Sequence, residues 1–122
     1  MPEIEVVFFA TDEGLSPVLE WLDSLPTKVQ NKCIVRIERL AQLGYELTRP
    51  EADYLRDGVY ELRVRRQRVN YRMLYFFHEG HAVISHGLTK ESRVPPGEID
   101  RTIVRKALFS EDPDKHTYTD RE

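Results

Sequence analysis

Between Glu61 and Phe77 the sequence reads ELRVRRQRVNYRMLYFF and carries five arginines: Arg63, Arg65, Arg66, Arg68 and Arg72. A guanidinium group is planar, permanently charged, and holds a fork of donors that matches the oxygens of phosphate or carboxylate. The same stretch alternates as a strand does, so Leu62 and Val64 point one way and Arg63 and Arg65 the other. If Arg66-Gln67 forms a two-residue hairpin loop, Arg65 is expected opposite Arg68, Arg63 opposite Asn70, and Glu61 opposite Arg72. One face then collects Leu62, Val64, Val69, Tyr71 and Met73 and packs on helices. The other collects Glu61, Arg63, Arg65, Arg68, Asn70 and Arg72, and is expected to be exposed. Like charges directly across a sheet cost up to about 1 kcal/mol. An anionic ligand relieves that repulsion; a solvated face that discourages edge-to-edge pairing is the other reading. Glu61 is the lone acid on the face, which favours the ligand.

The remaining polar groups are less pointed. Of four histidines, His78, His81, His86 and His116, none forms an i, i+4 pair on a helix, and no metal site or cofactor is expected. His86 ends a strand-like run beside Lys90, where a neighbouring basic group disfavours its cation and leaves a neutral ring able to accept a proton. A buried, hydrogen-bonded strand histidine is the alternative. Lys90 and Arg93, taken alone, read as solvated charges. Cys33 falls on the apolar stripe of a helix and reads as core. No glycine-rich phosphate loop or serine elbow is present.

The formal net charge of −3 conceals segregation. Residues 56–106 carry 11 basic and 6 acidic side chains, residues 1–55 carry 5 and 10, and residues 107–122 carry 2 and 5. A basic middle between acidic flanks fits a polyanion bound on one face, or an unevenly charged solvated surface. At 122 residues the chain is long enough for one core. No apolar run approaches the length of a membrane-spanning helix, and the N-terminus lacks the pattern of a signal peptide. A single cysteine excludes an internal disulfide, and a cytoplasmic location is expected.

The elements that must position these groups follow from periodicity. Glu3 to Phe9 alternates as a strand. Ser16-Pro17 is an N-cap followed by proline at the first helical position, opening a helix to about Leu25. After Pro26, Thr27 to Gln30 has capping-box spacing, and Val29, Cys33, Ile37, Leu40 and Ala41 mark a second helix ending near Gly44. Residues 45–58 look polar and irregular. Three strands are expected at Val59–Arg65, Arg68–His78 and His81–Leu88. A last helix begins at about Glu98, after Pro95-Pro96. The order β-α-α-β-β-β-α predicts an α+β domain over residues 1–109 whose sheet carries its helices on one face, with residues 110–122 as an acidic, flexible tail.

Tyr60-Glu61-Leu62-Arg63, then Tyr71-Arg72 leading into Leu74-Tyr75-Phe76-Phe77, His86-Gly87, Lys90, and Pro96 before Glu98-Ile99 form an ordered set. On these residues the chain resembles the HigB-like, phage-derived branch of the RelE/ParE toxin superfamily over roughly residues 3–109. The resemblance implies a RelE-like fold: an antiparallel sheet with two N-terminal helices and a C-terminal helix. It also implies a type II toxin, a ribosome-dependent mRNA endoribonuclease, restrained by a cognate antitoxin of helix-turn-helix type. Superfamily chemistry needs no metal. The ribose 2′-OH attacks the adjacent phosphorus, leaving a 2′,3′-cyclic phosphate and a 5′-OH. By that likeness Arg72 stabilises the phosphorane, Arg63 and Lys90 support it, and His86 serves as base or acid. Arg65, Arg68, Asn70 and Arg93 would contact RNA.

Two departures bear on the chemistry. Glu91 stands where this branch often has a second basic residue. No lysine occupies Val59–Arg68, which excludes a lysine base on that strand. Two other functions compete: a ParE-like inhibitor of DNA gyrase, and a non-catalytic RNA- or protein-binding module of the same fold.

Overall fold

The computed structural model describes residues 3–89 and 92–120. Its elements run β1 (Glu5–Phe8), α1 (Pro17–Asp23), α2 (Thr27–Leu43), a 3-10 turn (Gly44–Glu46), β2 (Ala52–Arg56), β3 (Val59–Arg66), β4 (Val69–His78), β5 (His81–Thr89) and α3 (Pro96–Glu111). The five strands form one sheet in the order β1-β5-β4-β3-β2. The α+β class and the sequence of helices and strands stand as expected, with one strand added. That strand, β2, lies within the segment read as irregular and pairs antiparallel with β3. The sheet is also not wholly antiparallel, because β1 pairs with β5 in parallel.

Three two-residue turns build the β2–β5 meander, each with both central residues at positive φ, as a type I′ turn requires. They are Asp57-Gly58 (52° and 80°), Gln67-Arg68 (51° and 69°) and Glu79-Gly80 (46° and 82°). The middle turn sits one residue later than expected. Arg66 therefore pairs with Val69, Arg65 with Asn70, Arg63 with Arg72 and Glu61 with Leu74. The partners differ from the expected ones, but pairing moved by an even number of positions, which leaves every strand residue on its expected face. Arg68 alone leaves the arginine face, for the turn.

Helices cover both faces, not one. Leu62, Val64, Tyr71, Met73, Tyr75 and Ile84 pack against Val18, Leu22, Val29, Cys33 and Leu40 of α1 and α2. On the opposite face Val59 and Leu74 pack with Val94 and Ile99, and Phe76 and Val83 pack with Phe9 and Phe109. The α3 helix thus lies on the same side of the sheet as the arginines. Burial pushes the Cys33 thiol up to about 11 against the pull of Arg36, in keeping with an inert core residue.

Local signals were mostly realised. Ser16 caps α1 by accepting from the Leu19 amide (3.2 Å). The capping box at Thr27 does not form: Pro26 is the N-cap residue without a side-chain bond, and Gln30 donates instead to the Leu22 carbonyl (2.8 Å), tying α2 back to α1. Residues 112–118, expected to be a loose tail, dock against β1. His116 is buried, stacks on Phe9 with ring centroids 5.0 Å apart, and donates from Nδ1 to the Ala10 carbonyl (2.7 Å). Thr117 bridges Phe9, and the Tyr118 amide donates to the Phe8 carbonyl. Among the described residues no helix is long and apolar enough to cross a membrane.

Candidate functional site

Pairing between β2 and β3 ends at Ala52 and Leu62, so β3 runs on past its neighbour. The last bond across is the Arg63 amide to the Glu51 carbonyl, 2.9 Å. Where β2 stops, a cleft of about 330 Å³ opens, lined by Arg36, Pro50, Glu51, Arg63, Val64, Arg65, Asn70, Tyr71 and Arg72. Four guanidinium groups from three elements converge there. Among the described lining residues Glu51 is the single carboxylate, and it is already engaged by Arg39 (Nε–Oε2 3.0 Å and Nη2–Oε1 2.9 Å). That bidentate pair holds the Glu51 carboxyl below the usual range, so it stays ionised.

The arginines of the cleft differ in freedom. Arg65 is exposed and Arg63 half-buried, directly across β4 from Arg72. Arg72 was expected on an open face; it is 6% exposed, because α3 and the segment leading into it roof that part of the sheet. Its Nε lies 3.1 Å from Glu61 Oε1, and its Nη2 donates to the Ser92 carbonyl at 2.9 Å. Its Nη1 has no hydrogen-bond partner among the described residues. Burial pushes the Glu61 carboxyl up, against the opposing pull of Arg72 and Arg63. Arg72 is therefore a clamped, buried cation that acts on the cleft through its charge and not as an open donor.

Arg36 was not singled out in the sequence, since it belongs to the acidic half of the chain. It reaches across from α2 to donate through Nη1 to the Arg63 carbonyl, which fixes the exposed end of β3. Its Nε lies 3.7 Å from Glu51 Oε2 and is buried without a hydrogen-bond partner among the described residues.

The other expected residues lie elsewhere. Arg68 is exposed in the turn and Arg93 is exposed between β5 and α3; neither lines the cleft. Lys90 lies outside the described residues. His86 is buried and also apart from the cleft. Its Nε2 donates to Glu98 Oε1 (2.9 Å), and its Nδ1 accepts from Ser85 Oγ (2.7 Å) and from Arg105 Nη1 (3.3 Å). Burial first, and then Arg105, depress its pKa despite the Glu98 bond, so the ring is neutral in keeping with this one-donor, one-acceptor arrangement. A serine, a histidine and a carboxylate in line has the outline of a nucleophilic relay. Ser85 is wholly buried, however, so no substrate reaches its oxygen. The group acts as a polar clamp between β5 and α3, made possible by a bulge at Leu74/Tyr75 that turns both Ser85 and His86 toward α3.

The structure thus brings Arg63, Arg65, Asn70 and Arg72 together, adds Arg36 and Glu51, and leaves His86, Arg68 and Arg93 outside the cleft. None of the curated proteins compared with the chain matches it. Residues 20–107, which contain α1's second half through most of α3 and every residue lining the cleft, match the family described as Phage derived protein Gp49-like (DUF891), a phage-derived family of toxin–antitoxin toxins related to the RelE-like fold. The chain belongs to that family.

Proposed function

We propose that the protein is the toxin of a type II toxin–antitoxin pair and acts as an mRNA endoribonuclease at the ribosome. The observation that carries this reading is the cleft at the end of β3, with four guanidinium groups from α2, β3 and β4 and an already neutralised carboxylate. Arginine forks suit phosphate oxygens, and such a site favours the extra negative charge of a phosphorane over the ground-state diester. In this reading the 2′-OH attacks phosphorus as the 5′-oxygen leaves. Arg63 meets the developing charge and the buried Arg72 adds its positive field at close range, while Arg65 and Asn70 hold the flanking phosphate and sugar. One such donor is typically worth about 100- to 1,000-fold in rate.

The 2′-OH proton passes to water, and the leaving 5′-oxygen takes one up from water. His86, the group offered by the resemblance, is committed to Glu98 and Ser85. Its contribution in this reading is to seat α3, whose approach buries Arg72. A helix-turn-helix antitoxin restrains the toxin by laying an acidic segment into the same cleft.

The test is induced expression of wild type and of Arg63→Ala/Arg65→Ala, followed by mapping of cellular RNA 5′ ends. These two side chains are preferred to Arg72, whose removal leaves Glu61 buried without its partner. Growth arrest with new 5′-hydroxyl ends inside translated regions, lost in the double variant, supports the proposal. Arrest with intact messages and accumulated DNA breaks points instead to gyrase inhibition.

A further inference from the structure

Four of the five basic residues among residues 1–55 lie on α2: Lys28, Lys32, Arg36 and Arg39. Their spacing of four, four and three places them within roughly a quarter of the helix circumference. Like charges at i, i+4 destabilise a helix, and the only acid within α2 is Glu38. Arg36 and Arg39 share Glu51, whereas Lys28 and Lys32 are exposed and form no ion pair among the described residues. A solvated helix face would be expected to intersperse acids here.

This stripe is continuous with the arginine cleft. A second cleft of about 330 Å³, lined by Asn31, Lys32, Val35, Arg36, Val64 and Arg65, adjoins the first and shares Arg36, Val64 and Arg65 with it. Its make-up is that of a nucleotide seat: cations at the sides, an amide for hydrogen bonding, and valine side chains for an apolar ribose or base face. Val35 is 55% exposed, a large apolar residue left open to solvent between two cationic ones. Arg36, which lines both, stands at the junction of the two clefts.

We propose that α2 is a second RNA-binding surface: the phosphodiester backbone passes from the arginine cleft over the end of β3 and along Arg36, Lys32 and Lys28. This rests on the RNA-directed reading above and adds a path to it. From Lys28 to Arg39 the helix rises about 16 Å, room for several nucleotides beyond the reacting one. The phosphates come either from the same strand, continuing out of the cleft, or from a separate folded RNA such as a ribosomal stem.

The test is equilibrium binding of the full chain to 2′-O-methyl RNA, which lacks the attacking hydroxyl and is not cut, across a series of salt concentrations. Three probes are used: a short strand that fills the first cleft only, a longer single strand, and a stem-loop. Lys28→Ala/Lys32→Ala removes two cations without touching the core. For the longer strand its salt slope should fall by about 1.4, two contacts at about 0.7 each. If the stem-loop is the source, the fall should be about 1.8 and confined to that probe. The short strand should bind both proteins equally. Unchanged slopes on both longer probes overturn the inference while leaving RNA binding in place. Failure of the wild type to bind any of the three also overturns the inference, whereas the reading it rests on falls with the mapping of cellular RNA 5′ ends. Loss of an acidic protein partner with RNA binding unchanged also overturns it.

Discussion

At the scale of residues, the Glu61–Arg72 pair sets what the cleft does and what it tolerates. Both side chains are 8% exposed, so each depends on the other for compensation of its lost hydration. Glu61→Ala should therefore lower stability by about 3 kcal/mol in urea denaturation, far more than an exposed pair would. Glu61→Gln/Arg72→Met, which removes both charges, should recover most of that loss. A cost near zero for the single change would mean that the pair is solvated. His86 gives a second handle. Its pKa is depressed below the ordinary 6.5, so the unfolded chain takes up a proton before the folded one does. That contribution to stability is present above pH 6.5 and is lost as pH falls through the lower folded value. The wild type should lose melting temperature as pH falls below 6.5. His86→Gln, less stable at pH 7, should show a shallower loss over the same range. Parallel pH profiles would remove His86 from the balance.

At the scale of elements, the hairpins show what local sequence decides and what it leaves open. Asp57-Gly58 and Glu79-Gly80 end in the residue that adopts positive φ at no steric cost, and Glu79-Gly80 falls in the gap expected between two strands. Gln67 and Arg68 adopt the same geometry without glycine. The turn was misplaced by one residue for that reason, although the alternation of Leu62, Val64, Tyr71 and Met73 still gave the correct faces. Arg68→Gly should stabilise the protein by about 1 kcal/mol in chemical denaturation. No gain would mean that the Arg68 side chain earns its strained backbone through contacts in the free protein. Opposite behaviour is expected at Gly87, where an added Cβ would come within 2.1 Å of the Trp21 ring on α1. Gly87→Ala should cost about 1–3 kcal/mol, or force the Trp21 indole off its bond to Thr89 Oγ1, a change visible in tryptophan fluorescence.

Other elements were legible only in part. The uninterrupted apolar run Met73–Phe77 in β4 is the mark of a strand covered on both faces. Read for alternation alone, it hid α3's place on the arginine side. Parallel pairing of β1 with β5 joins segments more than seventy residues apart and leaves no local trace. The β2 strand, ADYLR, is short and half polar because it forms an edge. Docking of His116 on Phe9 likewise depends on a partner far away in sequence.

At the scale of the whole molecule, charge is arranged by surface and not by sequence half. Counting residues 1–55 as acidic concealed the basic stripe of α2, which folding brings against β3 and β4 of the basic middle. The arginine segment was visible from composition. Its partner Arg36 and the roofing of Arg72 were not, because both arise from tertiary packing. The family places the chain among toxin–antitoxin toxins, and the cleft supplies the chemistry by which such a protein would act on RNA. The most direct measurement adds the purified protein to ribosomes translating one defined message and analyses both ends at each break. The account predicts in-frame cuts bearing a 2′,3′-cyclic phosphate and a 5′-hydroxyl, reduced at least about 100-fold in Arg63→Ala/Arg65→Ala. Intact message in a reaction where translation nonetheless stops, or cleavage undiminished in the double variant, would contradict it.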